Sequence, residues 1–270
     1  MKKRITRSII QALSKTGIYL GLFSAVVTII GIVGYESIVE SPFMRFIGAM
    51  AILLLAFFIA LAKCFFRNKV EVQLGNGRIA YIEYGCVFEK TGIIIIPFNR
   101  YFDTLVNEKV VNKNSMVGGF VKYIYPGNLK ELDATLSASI GHITHETVEK
   151  EGKKDSYPIG TIAKIGKGAN EYYCLALTDV DIVTNKSICN IEMLNKSLLE
   201  LLNFINENSN GVDVYMPLLG SGFSRLNRDK QVILELIIAT LKASDIPLQS
   251  KLHIVLLEAE RDLFDLTKRY

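Results

Sequence analysis

Residues 212–225 read Val-Asp-Val-Tyr-Met-Pro-Leu-Leu-Gly-Ser-Gly-Phe-Ser-Arg, an apolar strand pattern running into small residues, with a helix pattern following from Asn227. Backbone N–H groups of a glycine-containing turn at a helix N-terminus form a natural anion pocket. Leu219, Gly220, Ser221, Gly222, Phe223, Ser224 and Arg225 are therefore one candidate binding loop, here loop two. Its glycines let a phosphate approach the backbone, and the Arg225 guanidinium matches phosphate oxygens bidentately. Loop one, Pro97-Phe98-Asn99-Arg100-Tyr101-Phe102-Asp103-Thr104, follows the apolar run Ile93–Ile96, and Ser115-Met116-Val117-Gly118-Gly119-Phe120 comes soon after. Each residue also has a plain use. The loop-two glycines can be purely steric, Arg225 can form a surface salt bridge, and Asp103 can cap a short helix. Phe102 can be core, and Phe223 can cover the sheet edge instead of stacking on a base or ribose. Loop two lacks the Gly-x-x-x-x-Gly-Lys-Ser/Thr of a P-loop and the Gly-x-Ser-x-Gly of a nucleophile elbow.

Elements able to hold these loops follow from the periodicity. Strand patterns occupy Val70–Leu74, Ile79–Tyr84 and Ile93–Ile96. Helix spacing runs from Asn128 to Ile140, and His142–Glu149 with Tyr157–Ile165 reads as a hairpin tipped by the charged Lys150–Asp155. Then come a strand at Tyr172–Leu177, a helix at Ile188–Asn206, a strand at Val212–Pro217, a helix at Arg228–Ala243, a strand at Leu252–Leu257 and a helix at Glu258–Lys268. This alternation predicts an α/β domain of three layers with a mixed, largely parallel sheet, because parallel strands need crossover helices. Ligands of such sheets sit beyond the carboxyl ends of the strands, where loops one and two fall. His142 and His145 lie on opposite faces of the expected strand, which favours a surface hairpin over a metal site. No Ser/His/Asp or Cys/His arrangement can be assembled.

Residues 1–69 differ in kind. Thr16–Tyr35 is a stretch of 20 residues without a charge, and Phe46–Ala62 one of 17. A helix of the first length covers roughly 30 Å, the hydrocarbon thickness of a bilayer; Arg45 and Lys63 can snorkel to extend the second. The short link Glu36–Pro42 predicts an antiparallel transmembrane hairpin, with spans at about 16–35 and 46–62. Lys and Arg concentrate on the side shared by the N-terminus and the post-hairpin segment, and only Arg45 lies at the loop, so both termini are expected in the cytoplasm. A cleaved signal peptide is disfavoured by the length of the first span and by the second. Ile5, Ile9, Ala12 and Leu13 have the spacing of a surface amphipathic helix, equally of a simple extension of the first span. Gly17 and Gly21 form a Gly-x-x-x-Gly packing face that points to oligomerisation.

The chain's net charge of +4 resides in this segment, where nine Lys and Arg face only Glu36 and Glu40. The remainder, 70–270, is net acidic, so nucleic acid is not an expected partner. The four cysteines have no zinc-ligand spacing and are expected as reduced, mostly buried thiols.

In this order the loops resemble those of a macro domain, the ADP-ribose-binding α/β module. The resemblance implies that Asn99 is the ribose-side asparagine, Gly118–Gly119 the glycine stretch and Gly220-Ser221-Gly222 the diphosphate loop. Pro97, Phe98, Phe102, Asp103, Ser115 and the rest of Leu219–Arg225 complete the ligand set, with no catalytic residue, metal or resident cofactor. Two spans followed by such a domain with an Asn-x-x-Phe-Asp-Thr loop (Asn99–Thr104) are similar, over nearly the whole chain, to membrane effectors of type II Thoeris antiphage systems. That resemblance implies a TIR-domain enzyme as partner, making an ADP-ribose-derived signal. It further implies a homo-oligomer in the bacterial inner membrane that disrupts the lipid bilayer on sensing it. Two departures stand out. Gly85-Cys86 replaces the Gly-Asp pair whose aspartate accepts from the adenine amine, leaving Glu83 or Glu89 as substitutes. Only Gly118 and Gly119 remain of a Gly-Gly-Gly stretch, which favours a binder over the alternative, a membrane-anchored ADP-ribosyl hydrolase. A protein-binding membrane scaffold is the third reading.

Overall fold

The computed structural model describes residues 67–75, 77–224 and 226–266, with 54–62 and isolated positions 6, 9, 21, 50 and 51. The chain divides into two units, Met1–Asn68 with Asp265–Arg269, and Lys69–Phe264. In the first, residues 54–62 are helical, with Leu54, Leu55, Phe58 and Ile59 exposed. No helix among the described residues is long and apolar enough to cross a membrane. The expected spans, the basic N-terminal segment and the Gly17 half of the glycine pair lie largely outside those residues, as does Arg225.

The second unit is built on ten strands: β1 Lys69–Gly75, β2 Arg78–Tyr84, β3 Ile93–Asn99, β4 Glu146–Thr147, β5 Asp155–Ser156, β6 Ile162–Lys167, β7 Asn170–Val180, β8 Ser187–Ile188, β9 Val214–Pro217 and β10 Leu252–Leu256. Its main helices are α1 Met116–Ile124, α2 Leu129–Ile140, α3 Ile191–Asn208 and α4 Lys230–Ala243. The main sheet runs β1-β2-β10-β9-β3-β7-β6, with β8 on β7. Strands β2, β10, β9, β3 and β7 are mutually parallel, while β1 and β6 close the edges antiparallel. The edge strand β1 alternates exposed and buried residues, with Val70, Val72 and Leu74 turned inward. By contrast, all four isoleucines of Ile93–Ile96 are buried, as expected for a central parallel strand covered on both faces.

On one face, Ile94, Ile96, Tyr172 and Cys174 pack with Val117 and Phe120 of α1 and Leu132 and Leu136 of α2. On the other, Tyr173 meets Phe204 of α3 edge to face; α4 lies beside α3 and over β1. The predicted three-layer, mixed and largely parallel α/β architecture is therefore what this unit forms. Each helix begins at a polar cap: Ser115, Asn128, Asn190 and Asp229 accept from the N–H groups of Gly118, Glu131, Met193 and Gln231. Such caps satisfy donors that the helix itself leaves open.

Four local expectations are corrected. Strand β3 continues through Pro97, Phe98 and Asn99, because parallel pairing with β7 carries past the isoleucine run. Ser115–Phe120 is not a glycine loop but the cap and first turns of α1. The hairpin around Lys150 has only a two-residue ladder, Glu146–Thr147 on Asp155–Ser156, and His142 and His145 lie outside it. After β10 the chain forms a 3-10 turn at Glu258–Leu263 in place of a helix to Lys268, whose end lies outside the described residues.

Candidate functional site

Five adjacent parallel strands end on one edge of the sheet, so the segments that follow them converge. Along that edge the order is Gly85–Phe88 after β2, Leu257–Glu260 after β10, Leu218–Ser224 after β9, Arg100–Asp103 after β3 and Asn185–Ser187 beyond β7. A cleft of about 700 Å³ runs across these ends, inside the range of roughly 300–1,000 Å³ usual for small-ligand sites.

Loop two occupies its middle. Gly220 takes a left-handed φ of 79°, which turns the chain from β9 toward α4. The Ser221 hydroxyl donates to the Leu218 carbonyl at 2.6 Å and tightens that turn. Leu219 is buried at its base, while Phe223 is 46% exposed at the rim. The N–H groups of Gly222, Phe223 and Ser224 meet no acceptor among the described residues. Nothing lies within 4 Å of where a Gly222 Cβ would stand. This is the open set of donors that an anion needs.

Loop one is built differently from expectation. Phe102, with φ of 51°, is 1% exposed and packs on Phe98 and Tyr157; it does not line the cleft. Phe98 is also core, edge-on to Phe120, but borders the cleft. The Asn99 oxygen accepts the N–H groups of Tyr101 (3.1 Å) and Asp103 (3.3 Å), and its amide donates to Asp103 Oδ2 at 3.0 Å. Asp103 is 2% exposed. Its Oδ2 also meets Lys150 Nζ at 2.8 Å and its Oδ1 accepts the Lys153 N–H at 2.7 Å. The side chain of Lys150, expected at a charged surface tip, is instead fully buried. It donates further to the Glu151 and Lys153 carbonyls and lies over the Tyr101 ring. Loop one is thus bolted from behind by the segment 150–153, which leaves Asn99 and Asp103 as shaped walls of the cleft.

The glycine pair serves packing. A Cβ on Gly118 would collide with the Asn112 carbonyl and stand 2.6 Å from that of Lys113; one on Gly119 would stand 2.9 Å from the Phe88 ring. Gly118 does not line the cleft, whereas Gly119 does, with the Phe88 ring seated against it. Ser115 borders the cleft, but its hydroxyl caps α1 and donates to the Asn112 carbonyl. Pro97 borders it as well.

The candidate stand-ins for the missing aspartate point away. Burial works to raise the Glu83 carboxyl. The Lys90 hydrogen bond and charge, with His253 and Lys69, outweigh it and hold the group below the usual carboxylate range. Glu89 is exposed outside the cleft. Cys86 does line it. Cys174 and Cys189 are buried free thiols, and burial pushes Cys189 up to about 11. Among the described residues no group of three His, Cys, Asp or Glu is placed to hold a metal.

Against known families, residues 81–257 match the family described as Thoeris protein ThsA, Macro domain. The chain belongs to this family. The Thoeris protein ThsA of Bacillus amyloliquefaciens (strain Y2) is 27% identical over 185 residues, 66% of this chain and 59% of that protein. The chain thus matches rather less than two thirds of that relative. Among solved structures, the Oceanobacillus iheyensis macrodomain with ADP superposes with a TM-score of 0.47 at 15% identity, covering 72% of this chain and 90% of that one. The Trypanosoma brucei macrodomain in complex with ADP-ribose gives 0.41 at 12% identity, covering 67% and 66%. The matched region of the ThsA macro domain contains every described residue of loops one and two, all of β10 and the carboxyl-terminal part of β2.

Sequence reasoning missed the β2 end of the cleft, where Val87, Phe88, Tyr123 and Leu257 stand beside Cys86. Phe88 and Tyr123 lie far apart in sequence and carry no motif. An aromatic three residues past Gly85 was the only available signal.

Proposed function

We propose that the α/β unit is a sensor for an ADP-ribose-type nucleotide, held with its diphosphate on loop two. The carrying observation is the open row of N–H groups at Gly222, Phe223 and Ser224 in the middle of a cleft walled by Asn99 and Asp103. Membership of the Thoeris ThsA macro-domain family supports an antiphage role. In this reading a TIR-domain partner makes the signal. Binding orders loop two, promotes self-association, and drives the N-terminal hairpins, anchored in the bacterial inner membrane with both termini cytoplasmic, to disrupt the bilayer. A ligand can do this only by binding the assembled state more tightly than the resting one. The geometry of Asn99 favours sensing over hydrolysis, since its oxygen already accepts two backbone N–H groups and is not left to orient a water.

Titration calorimetry of the full-length chain in detergent with ADP-ribose tests the first step. Measurable heat and a rise in melting temperature are expected; neither, with ADP-ribose or its TIR-derived products, refutes the reading. Dye leakage from vesicles holding the chain, on addition of those products, tests the second.

A further inference from the structure

Strand β1 ends the sheet on its side, and no strand pairs with its outer edge. It is seven residues long and free of proline, with Lys69, Glu71, Gln73 and Gly75 exposed and Val70, Val72 and Leu74 buried. Apart from its bonds to β2, including those of the Arg78 guanidinium to the Leu74 and Gly75 carbonyls, its backbone meets no partner among the described residues. The opposite edge differs, because the Lys164 N–H of β6 donates to the Ser139 hydroxyl of α2 at 2.9 Å. An open edge is a template for another strand, and proteins usually blunt one with proline, bulges or charge. Strand β1 has a register shift only at its hairpin end, between Gln73 and Gly75, and carries two charges of opposite sign.

Those two charges select a partner. Two copies of one edge meet antiparallel about a twofold axis normal to the sheet, which leaves each face of the strand on its own side. Opposed residues must then share a face, so the axis passes through a residue and never between two. An axis through Glu71 sets carboxylate against carboxylate and leaves Leu74 and Gly75 unpaired. One through Gln73 leaves Lys69 and Val70 against the turn, and one through Val70 pairs only Lys69–Glu71. The axis through Val72 pairs the whole strand: Val72 with Val72, Val70 with Leu74, Glu71 with Gln73 and Lys69 with Gly75. It sets no like charges directly opposite. It also gives each Gln73 amide, which donates to Glu71 of its own strand at 2.5 Å, a second carboxylate across the axis.

We infer that the chain pairs with a second copy of itself through β1 before any signal arrives, joining the two sheets into one. Helix α4, which lies over β1, then runs beside its equal. The chain enters the two β1 strands at points about 20 Å apart, one strand length, so the segments ahead of Lys69 are delivered as a pair. No nucleotide is needed for this pairing.

Sedimentation velocity of the full-length chain in detergent, without ligand, tests it on wild type and three variants at Glu71 and Gln73, both exposed. Wild type is expected as a dimer at micromolar concentration. Gln73→Glu opposes Glu71 twice across the axis and is expected to weaken the dimer by about tenfold. Gln73→Lys opposes the same carboxylates with cations and is expected to tighten it by about threefold. Adding Glu71→Lys to Gln73→Glu restores opposite charges and should return the affinity to within about threefold of wild type. A monomeric wild type overturns the inference, as does one affinity shared by all four proteins, which places the contact elsewhere. A double variant as weak as Gln73→Glu overturns the register, and with it the pairing of β1 with β1.

Discussion

Replacing Lys150 with methionine keeps most of the stem and removes the ammonium. In the native chain that ammonium is fully buried, 2.8 Å from Asp103 Oδ2, and also donates to the Glu151 carbonyl at 2.6 Å and the Lys153 carbonyl at 3.2 Å. In Lys150→Met the Asp103 carboxylate stays buried with only Asn99 and the Lys153 N–H as donors, and two carbonyls lose a partner. Breaking a buried pair from one side costs about 3–5 kcal/mol, since an uncompensated charge remains. For a unit of this size about 1 kcal/mol moves the melting temperature by about 2–4 °C, so a drop of roughly 6–20 °C is expected. Asp103→Asn should fall in the same range. The double variant removes both charges and should be more stable than the sum of the single losses by roughly 1–3 kcal/mol. Thermal unfolding followed by circular dichroism, on all four proteins under one condition, supplies the numbers. A shift under about 2 °C for Lys150→Met, or strict additivity in the double variant, would refute the argument that this bolt is a coupled buried pair.

Gly222→Glu should fold normally, because the position has ordinary φ and open space, yet lose ADP-ribose binding as a carboxylate enters the anion pocket; retained binding would show that loop two is the wrong site. Gly118→Ala should cost about 1–3 kcal/mol, because its Cβ meets backbone carbonyls that cannot move alone. Gly119→Ala should cost less, since only the Phe88 ring must shift, and denaturant unfolding of the pair checks that order. His253, with its ring between those of Tyr81 and Tyr215, is pressed below its usual value of 6.5 by burial and by Lys69, against the pull of Glu83 and Asp213. The unfolded chain then binds this proton more readily, so stability should fall as pH drops through 6.5 toward the depressed folded value. Glu83, also depressed, adds a second loss as pH falls below 4.5. Melting temperatures from about pH 8 to about pH 5.5 should therefore decline in the wild type and far less in His253→Gln; parallel curves would count against the buried imidazole.

The alternation of Val70, Val72 and Leu74, the unbroken Ile93–Ile96 and the spacing of Leu132, Leu136 and Ile140 were enough to locate their strands and helix, because local periodicity records which face is buried. The order of strands and helices likewise implied a parallel sheet and placed loop two at its carboxyl edge, and Gly220 does adopt the positive φ that only a glycine takes easily. What each side chain then does depended on partners distant in sequence. Lys150 was legible as a charge, and charges belong to solvent by default; only the approach of Asp103, 47 residues away, makes it a buried bolt. Gly118 and Gly119 were legible only as the glycine stretch that the resemblance implies, and only the crossing of residues 112–113 and the seating of Phe88 reveal them as clearance. The aromatic end of the cleft had no local signature, since Phe88 and Tyr123 meet through the packing of α1 beside β3. Periodicity reports burial, which is a property of one element. Function at this site is a property of five strand ends, and their juxtaposition exists only once the sheet has formed.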